Sequence, residues 1–203
     1  MAQASLCGKL IAGFDAACSV AVRKYFQEAC IINKADIDTQ TVTLPDYAAG
    51  SCSYNVAFSL VQQPQGGSDT QGLKFRAPDG GQSIFGFYEK TVNDYGKPQY
   101  RHVVQILLEG VTENVKCILD GLDKGSFVVA LQIGDVVEIF GLYNGLSSTD
   151  YTYSVQENGG GALLQLASTE AAPEPTLPLV YVSGTPGNEI ADFDGCFLQP
   201  AAP

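Results

Sequence analysis

Short segments with the pattern of β-strands recur along most of this chain, separated by turns rich in glycine and proline. The clearest is residues 54–60, where large apolar side chains alternate with small or polar ones, a period of two typical of a half-buried strand. Further strands are predicted at residues 26–33, 41–44, 73–77, 83–91, 101–109, 127–133, 136–143, 151–156 and 162–168. This succession, without a regular alternation of strand and helix, predicts a mainly β fold, an antiparallel β-sandwich or barrel.

One segment, about residues 112–123, has the pattern of an amphipathic helix. Thr112 is a suitable N-cap, and apolar side chains recur after it at intervals of three and four residues. We expect this helix to flank the sheet with its apolar stripe. Glycine at the first position of Gly134-Asp135 predicts a two-residue hairpin turn between the strands that follow.

The length and composition predict one domain with two arms. Residues 1–170 are predicted as a single β-barrel or β-sandwich domain, with an N-terminal arm over about residues 1–25. Residues 171–203 contain six of the ten prolines and one short apolar run. We therefore expect residues 171–203 to extend along a surface without contributing to a core.

Positive charge ends abruptly at Lys124. Residues 125–203 carry nine carboxylates and no lysine or arginine, whereas residues 1–124 carry thirteen carboxylates and eleven cations. Non-specific affinity for nucleic acids comes mainly from clustered cations, so the second half is expected to repel a phosphate backbone. The sequence shows neither an apolar stretch long enough for a membrane helix nor an export leader, which predicts a soluble protein made in the cytoplasm.

No local motif predicts catalysis, a metal or a cofactor. The six cysteines lack the close spacing of zinc ligands, and His102 is the only histidine. His102 lies within a predicted strand, which favours a packed or surface histidine over a general base, although a Cys/His pair formed in space stays open. The glycine clusters lie between strands, and the carboxylate pairs offer too few oxygens for calcium. We therefore predict no catalytic residue, no metal site and no cofactor.

A family resemblance rests on the helix and the hairpins that follow it. Residues 115–119, 125–130 and 138–143, the segment 145–151, and the glycine-rich hairpin before Leu163-Leu164-Gln165-Leu166 resemble phage tail structural proteins. Across about residues 100–182 the chain is similar to tail tube proteins and related ring-forming virion proteins.

The resemblance implies an antiparallel barrel with a flanking helix, six copies per ring, and rings stacked into a conduit for genome ejection. Such a protein is made in the host cytoplasm and ends in the virion tail. Its implied partners are other copies of itself and further tail or neck proteins, while DNA passes through without being held. No membrane is involved.

In such a conduit, carboxylates on the wall repel DNA within a Debye length of about 8–10 Å. The cation-free second half is thus predicted to supply much of the lumen, through Asp135, Glu138, Asp150 and Glu157. The resemblance also implies contacts between subunits at Gln65, Gly66 and Gly67 of a polar loop. Further contacts are expected at Lys97 and Arg101, where these cations meet a neighbour's carboxylates.

The alternative function belongs to another class. A monomeric or trimeric β-sandwich module that decorates a virion would recognise a carbohydrate or protein partner through surface tyrosines. Rings or tubes in electron micrographs would favour the tail tube, and glycan binding by a soluble monomer would favour the decoration module.

Overall fold

The computed structural model describes residues 26–46, 48–61, 71–77, 83–108, 112–154 and 161–197. Its strands are β1 (Glu28–Asn33), β2 (Ile37–Thr43), β3 (Asn55–Leu60), β4 (Leu73–Arg76), β5 (Ile84–Val92), β6 (Pro98–Leu108), β7 (Phe127–Ile133), β8 (Val136–Phe140), β9 (Ser147–Ser154), β10 (Gly161–Ala167) and β11 (Leu179–Tyr181). Its helices are α1 (Glu113–Leu122) and α2 (Glu189–Asp194), with a 3₁₀ turn at Lys34–Asp36. The predicted N-terminal arm lies outside the described residues.

The strands form two sheets. The larger has seven strands in the order β2-β3-β11-β8-β7-β1-β4, and the smaller has four in the order β5-β6-β10-β9. All described pairs are antiparallel except β11 with β3. The prediction of a mainly β fold with antiparallel pairing and a flanking helix is confirmed, but neither sheet closes into a barrel within the described residues.

The two sheets enclose a common apolar core. Val129 and Leu131 of β7 and Leu164 of β10 belong to one buried cluster, and α1 completes it with Leu119 and Leu122. Burial of each such side chain contributes roughly 1.5–3 kcal/mol before the entropic cost of folding. The apolar stripe predicted for the helix therefore packs on the sheets, as expected.

Local sequence signals set the ends of two elements. The Thr112 hydroxyl accepts a hydrogen bond from the Val115 N–H at 3.3 Å, which caps α1 at its predicted N-terminus. In the β7–β8 turn, Gly134 has a φ of +61°, the left-handed conformation that glycine adopts without steric cost. The predicted hairpin turn is confirmed by this backbone conformation.

The other face of the seven-stranded sheet carries a second core. Val128 and Ala130 of β7 belong to a buried cluster with Phe193 and Phe197. These two aromatic residues come from residues 172–197, which we call the C-terminal segment. Because both faces of β7 are covered, its first five residues are all buried, as in strands enclosed between two layers.

The C-terminal segment corrects the prediction for residues 171–203. Within its described part, β11 lies between β3 and β8, and α2 and the turn after it cover the sheet. Residues 172–197 thus contribute to a core instead of extending along a surface. The physical reason is that Leu179, Tyr181, Phe193 and Phe197 bury enough apolar surface to outweigh the irregularity that the prolines impose.

Neither helix in the described ranges is long and apolar enough to cross a membrane.

Candidate functional site

The hairpin of β5 and β6 carries a group of exposed apolar side chains. Val92 is 62 % exposed and Tyr95, in the turn, is 89 % exposed, while Phe87 and Tyr88 are also exposed. The turn is ordered by Asn93, whose Oδ1 accepts hydrogen bonds from the N–H groups of Tyr95 and Lys97. Successive strand residues point to opposite faces, so Phe87 and Tyr88 expose apolar area on both faces of an ordered hairpin, which makes the hairpin a candidate interaction element.

The hydrogen bonds at the two ends of this hairpin show which residues of β5 form backbone hydrogen bonds with β6. The Asn93 N–H donates to the Lys97 carbonyl at 3.0 Å, and the Leu107 N–H donates to the Ser83 carbonyl at 2.8 Å. In an antiparallel pair the hydrogen-bonded positions alternate, so every second residue of β5 directs its N–H and C=O away from β6. That set includes Gly86, Tyr88, Lys90 and Val92.

The N–H and C=O groups that point away from β6 matter because β5 is an edge of the four-stranded sheet, as is β9 on its far side, within the described residues. On the face turned away from the seven-stranded sheet, the register places Phe85, Gln105, Gln165 and Asp150 in one row. The Gln105 amide donates to Gln165 Oε1 at 2.8 Å, which fastens the middle of the row. We call this face of the four-stranded sheet the outer face.

The carboxylates predicted for the lumen occupy different parts of the fold. Asp150 is exposed on the outer face, whereas Asp135 is in the β7–β8 turn and Glu138 is on β8, both in the seven-stranded sheet. Burial raises the pKa of Glu138 above its ordinary value. The structure therefore does not place Asp135 or Glu138 beside Asp150, and Glu157 lies outside the described residues.

Two of the predicted contact residues come together on the β5–β6 hairpin. Lys97 is exposed in the turn, and Arg101 on β6 forms an ion pair with Glu89 across the ladder at 3.4 Å. Arg101 is thus already paired within its own chain. Gln65, Gly66 and Gly67 lie outside the described residues.

An open groove separates this turn from the C-terminal segment. Lys97 and Pro98 form one wall, and Tyr143, Pro173 and Pro175 line the other. Proline and tyrosine side chains offer rigid apolar area that loses little entropy on contact, which suits a protein interface. Lys97 therefore lies at a concave surface.

Behind the hairpin, His102 is almost fully buried and hydrogen bonded at both ring nitrogens. The Gly141 N–H donates to Nδ1 at 3.2 Å, and Nε2 lies 2.9 Å from the Thr176 carbonyl. A carbonyl only accepts and an N–H only donates, so the ring is neutral with its proton on Nε2. Burial lowers the pKa of His102 to about 4. Both nitrogens are bonded to the backbone, so of the two predicted alternatives, a packed or a surface histidine, the structure shows the packed one.

Glu174 forms a second buried polar centre nearby. Its carboxylate accepts hydrogen bonds from the N–H groups of Asn144 at 2.8 Å and Tyr143 at 3.0 Å, and also from Gly145. The Lys34 ammonium donates to the Tyr143 carbonyl and adds a favourable charge. Burial nevertheless raises the pKa of Glu174, because desolvation outweighs these bonds.

The two polar centres hold the C-terminal segment against β6. Glu174 and Tyr100 exchange backbone hydrogen bonds at 2.9 Å, and the His102 N–H donates to Ser168 Oγ at 2.9 Å. Nothing local in the sequence distinguishes Glu174 from the other carboxylates of the acidic half. Its role follows from contacts with residues that lie about thirty and seventy positions earlier in the chain.

The chain matches no family model, no curated protein and no solved structure.

Proposed function

We propose that this protein is a structural subunit of a phage tail tube, in which copies join six to a ring and the rings stack into a conduit for DNA. The observation that supports the proposal best is the four-stranded sheet, whose edge strands β5 and β9 have no partner strand among the described residues. An exposed sheet edge is a template for pairing with another chain.

The strand directions suit such pairing. Neighbouring strands of this sheet are antiparallel throughout and four in number, so β5 and β9 run in opposite directions. When β5 of one copy lies beside β9 of the next, the junction is antiparallel. The backbone N–H and C=O groups of Tyr88 and Lys90, which point away from β6, then gain hydrogen-bond partners. A head-to-tail junction of this kind closes into a ring when the rotation between copies divides a full turn.

The dimensions of such a ring suit a DNA conduit. Six copies would supply about 24 strands, which at a spacing of about 4.8 Å give a backbone diameter of roughly 37 Å. Side chains reaching about 6 Å inward leave a channel of roughly 25 Å, wide enough for a duplex about 20 Å across. The outer face would line this channel, because the opposite face packs on the seven-stranded sheet.

This arrangement refines the predicted lumen. Asp150 lies on the outer face and would face the channel, whereas Asp135 and Glu138 belong to the other sheet and would lie outside it. The Arg101–Glu89 pair on the same face is neutral overall. A wall with paired cations and additional carboxylates would repel the phosphate backbone and let the duplex slide.

Replacing Lys90 with proline is expected to abolish self-association while the monomer stays folded. The Lys90 N–H points away from β6, so proline removes a bond to the next copy but none of the β5–β6 ladder. Sedimentation and negative-stain electron microscopy of the purified protein measure the loss of rings. Thermal melting is expected to change by only about 3 °C.

Two variants serve as matched controls for this experiment. Lys90→Ala removes the same charge but keeps the N–H, so rings should persist. Glu89→Pro removes an N–H that faces β6, so this variant should melt at a lower temperature. Rings in the Lys90→Pro protein, or a wild-type chain that stays monomeric at high concentration with its tail partners present, would contradict the proposal.

The decoration module remains the second candidate because of the exposed tyrosines on the hairpin. Tyr95 is 89 % exposed and Tyr88 is 49 % exposed, and aromatic faces of this kind stack on sugar rings. Binding of a monomer to a glycan array, lost in Tyr95→Ser, would favour this function over the tube.

A further inference from the structure

Two buried cysteines meet beneath helix α2. Cys30 lies in the middle of β1 and Cys196 follows α2, and both belong to the apolar core on that face of the sheet. They are free thiols whose side chains are hydrogen bonded to each other. They are 166 positions apart, so the contact depends entirely on the docking of the C-terminal segment.

The backbone after α2 is held in an uncommon conformation that brings Cys196 to this contact. Cys196 has a φ of +46° and Phe197 a φ of +63°, the left-handed region that side chains other than glycine rarely adopt. The turn is closed by the Cys196 N–H, which donates to the Phe193 carbonyl at 2.8 Å, and by the Phe197 N–H, which donates to Asp192. Backbone strain of this kind is found at sites where the side-chain position matters.

A lysine fastens the two cysteine-bearing elements beside the thiols. Lys74 pairs with Cys30 across the β1–β4 ladder, and its ammonium lies 2.6 Å from Glu28 and 2.7 Å from Asp194. Glu28 and Asp194 each lie two residues before one of the cysteines. The site thus has a fixed geometry and a local cation.

The surroundings give the two thiols different characters. The hydrogen bond from the Cys30 thiol lowers the pKa of Cys196. The positive charge of Lys74 lowers this pKa further, although burial opposes both effects. The same hydrogen bond and burial raise the pKa of Cys30. A thiol with a lowered pKa is the nucleophile of such a pair, and its neutral neighbour is suited to resolve the product.

We propose that Cys30 and Cys196 form a redox modification site at which hydrogen peroxide converts the two thiols into a disulfide. The Cys196 thiolate attacks one oxygen of hydrogen peroxide, the O–O bond breaks, and Cys196 sulfenic acid forms. The departing hydroxide takes up the proton that the Cys196 thiol released on ionisation and becomes water. The Cys30 sulfur then displaces the hydroxyl group of the sulfenic acid, which takes the Cys30 thiol proton and leaves as a second water. The two sulfurs supply the two electrons that reduce the peroxide, and the S–S bond of about 2 Å fastens the end of α2 to β1.

The sequence makes this bridge easy to detect. Since no lysine or arginine follows Lys124, trypsin leaves residues 125–203 as one fragment with Cys196 as its only cysteine. Cys30 is the only cysteine in the tryptic peptide of residues 25–34. Hydrogen peroxide, followed by alkylation and digestion without reductant, should join these two peptides with the loss of two hydrogens, and reductant should separate them.

The oxidised protein is expected to melt about 10 °C higher, because the bridge restricts a very long loop of the unfolded chain. A Cys52→Ser/Cys117→Ser protein, which lacks two exposed thiols, should form the same bridge, whereas Cys196→Ser should lose it. Peroxide that links Cys196 to any other cysteine, or that oxidises Cys52 and Cys117 while the buried pair stays reduced, would overturn the proposal. A bridge that forms equally fast in urea would also overturn it.

Discussion

Replacing Glu174 with alanine is expected to lower the free energy of unfolding by about 3 kcal/mol. The carboxylate is fully buried and accepts hydrogen bonds from the N–H groups of Tyr143, Asn144 and Gly145. Alanine leaves these donors without a partner in a site that solvent does not reach. Since desolvation of the carboxylate offsets part of its favourable interactions, the loss is expected to stay below the largest values for broken buried charges, about 5 kcal/mol.

Urea unfolding at pH 7 measures this effect, and the same segment supplies the control. Glu170 is exposed four positions earlier, so Glu170→Ala should change the free energy of unfolding by less than about 0.5 kcal/mol. Glu174→Gln keeps one acceptor oxygen and should lie between the two. A loss below about 1 kcal/mol in Glu174→Ala would show that the three N–H groups find other partners, and that Glu174 does not hold the segment.

The elements that could be predicted from the sequence are those determined by neighbouring residues. Helix α1 follows from its N-cap and its apolar spacing, and the β7–β8 turn follows from a glycine that adopts a positive φ. The antiparallel pairing of β9 and β10 likewise follows from alternation on both sides of a glycine-rich stretch of sequence. In each case the determining contacts lie within about twenty residues of one another.

The C-terminal segment could not be predicted in this way. Strand β11 has three residues, and Val180 pairs with Asn55 on one side and with Glu138 on the other. These partners are far away in the sequence and leave no local pattern. The spacing of Phe193 and Phe197 was an available signal for a packed helix end, but six nearby prolines favoured an extended arm.

The candidate site was predictable only in part, because the density of charged residues along a sequence does not show which sheet, or which face of a sheet, each side chain occupies. Asp135, Glu138 and Asp150 share the same cation-free half, yet β-sheet register divides them between two sheets. By contrast, Lys97 and Arg101 come together because a single hairpin carries both.

Acid is expected to destabilise the protein through His102 between about pH 6.5 and pH 4. The ordinary pKa of 6.5 applies to the unfolded chain, and burial lowers the pKa in the folded state to about 4. Within this window the unfolded chain binds a proton that the folded protein excludes, so a falling pH favours unfolding. The separation of the two values corresponds to about 3 kcal/mol of stability, present above pH 6.5 and lost on approaching pH 4.

Two buried carboxylates contribute to the pH dependence of stability with the opposite sign. Burial raises the pKa values of Glu138 and Glu174, so the folded state binds protons there more readily than the unfolded chain does. The difference in unfolding free energy between wild type and His102→Gln removes these contributions, since both proteins share them. That difference should be constant above pH 7 and fall by about 3 kcal/mol near pH 4.

Nitrogen NMR of the imidazole measures the protonation state of His102 directly in the wild-type protein, without the His102→Gln variant. The neutral ring with its proton on Nε2 should persist below pH 5, because protonation of Nδ1 would break the bond from the Gly141 N–H. A ring that titrates near 6.5 in the folded protein would contradict the buried, doubly bonded position of His102. It would also show that the contact between β6 and residues 168–176 opens readily, since that contact excludes water from the ring.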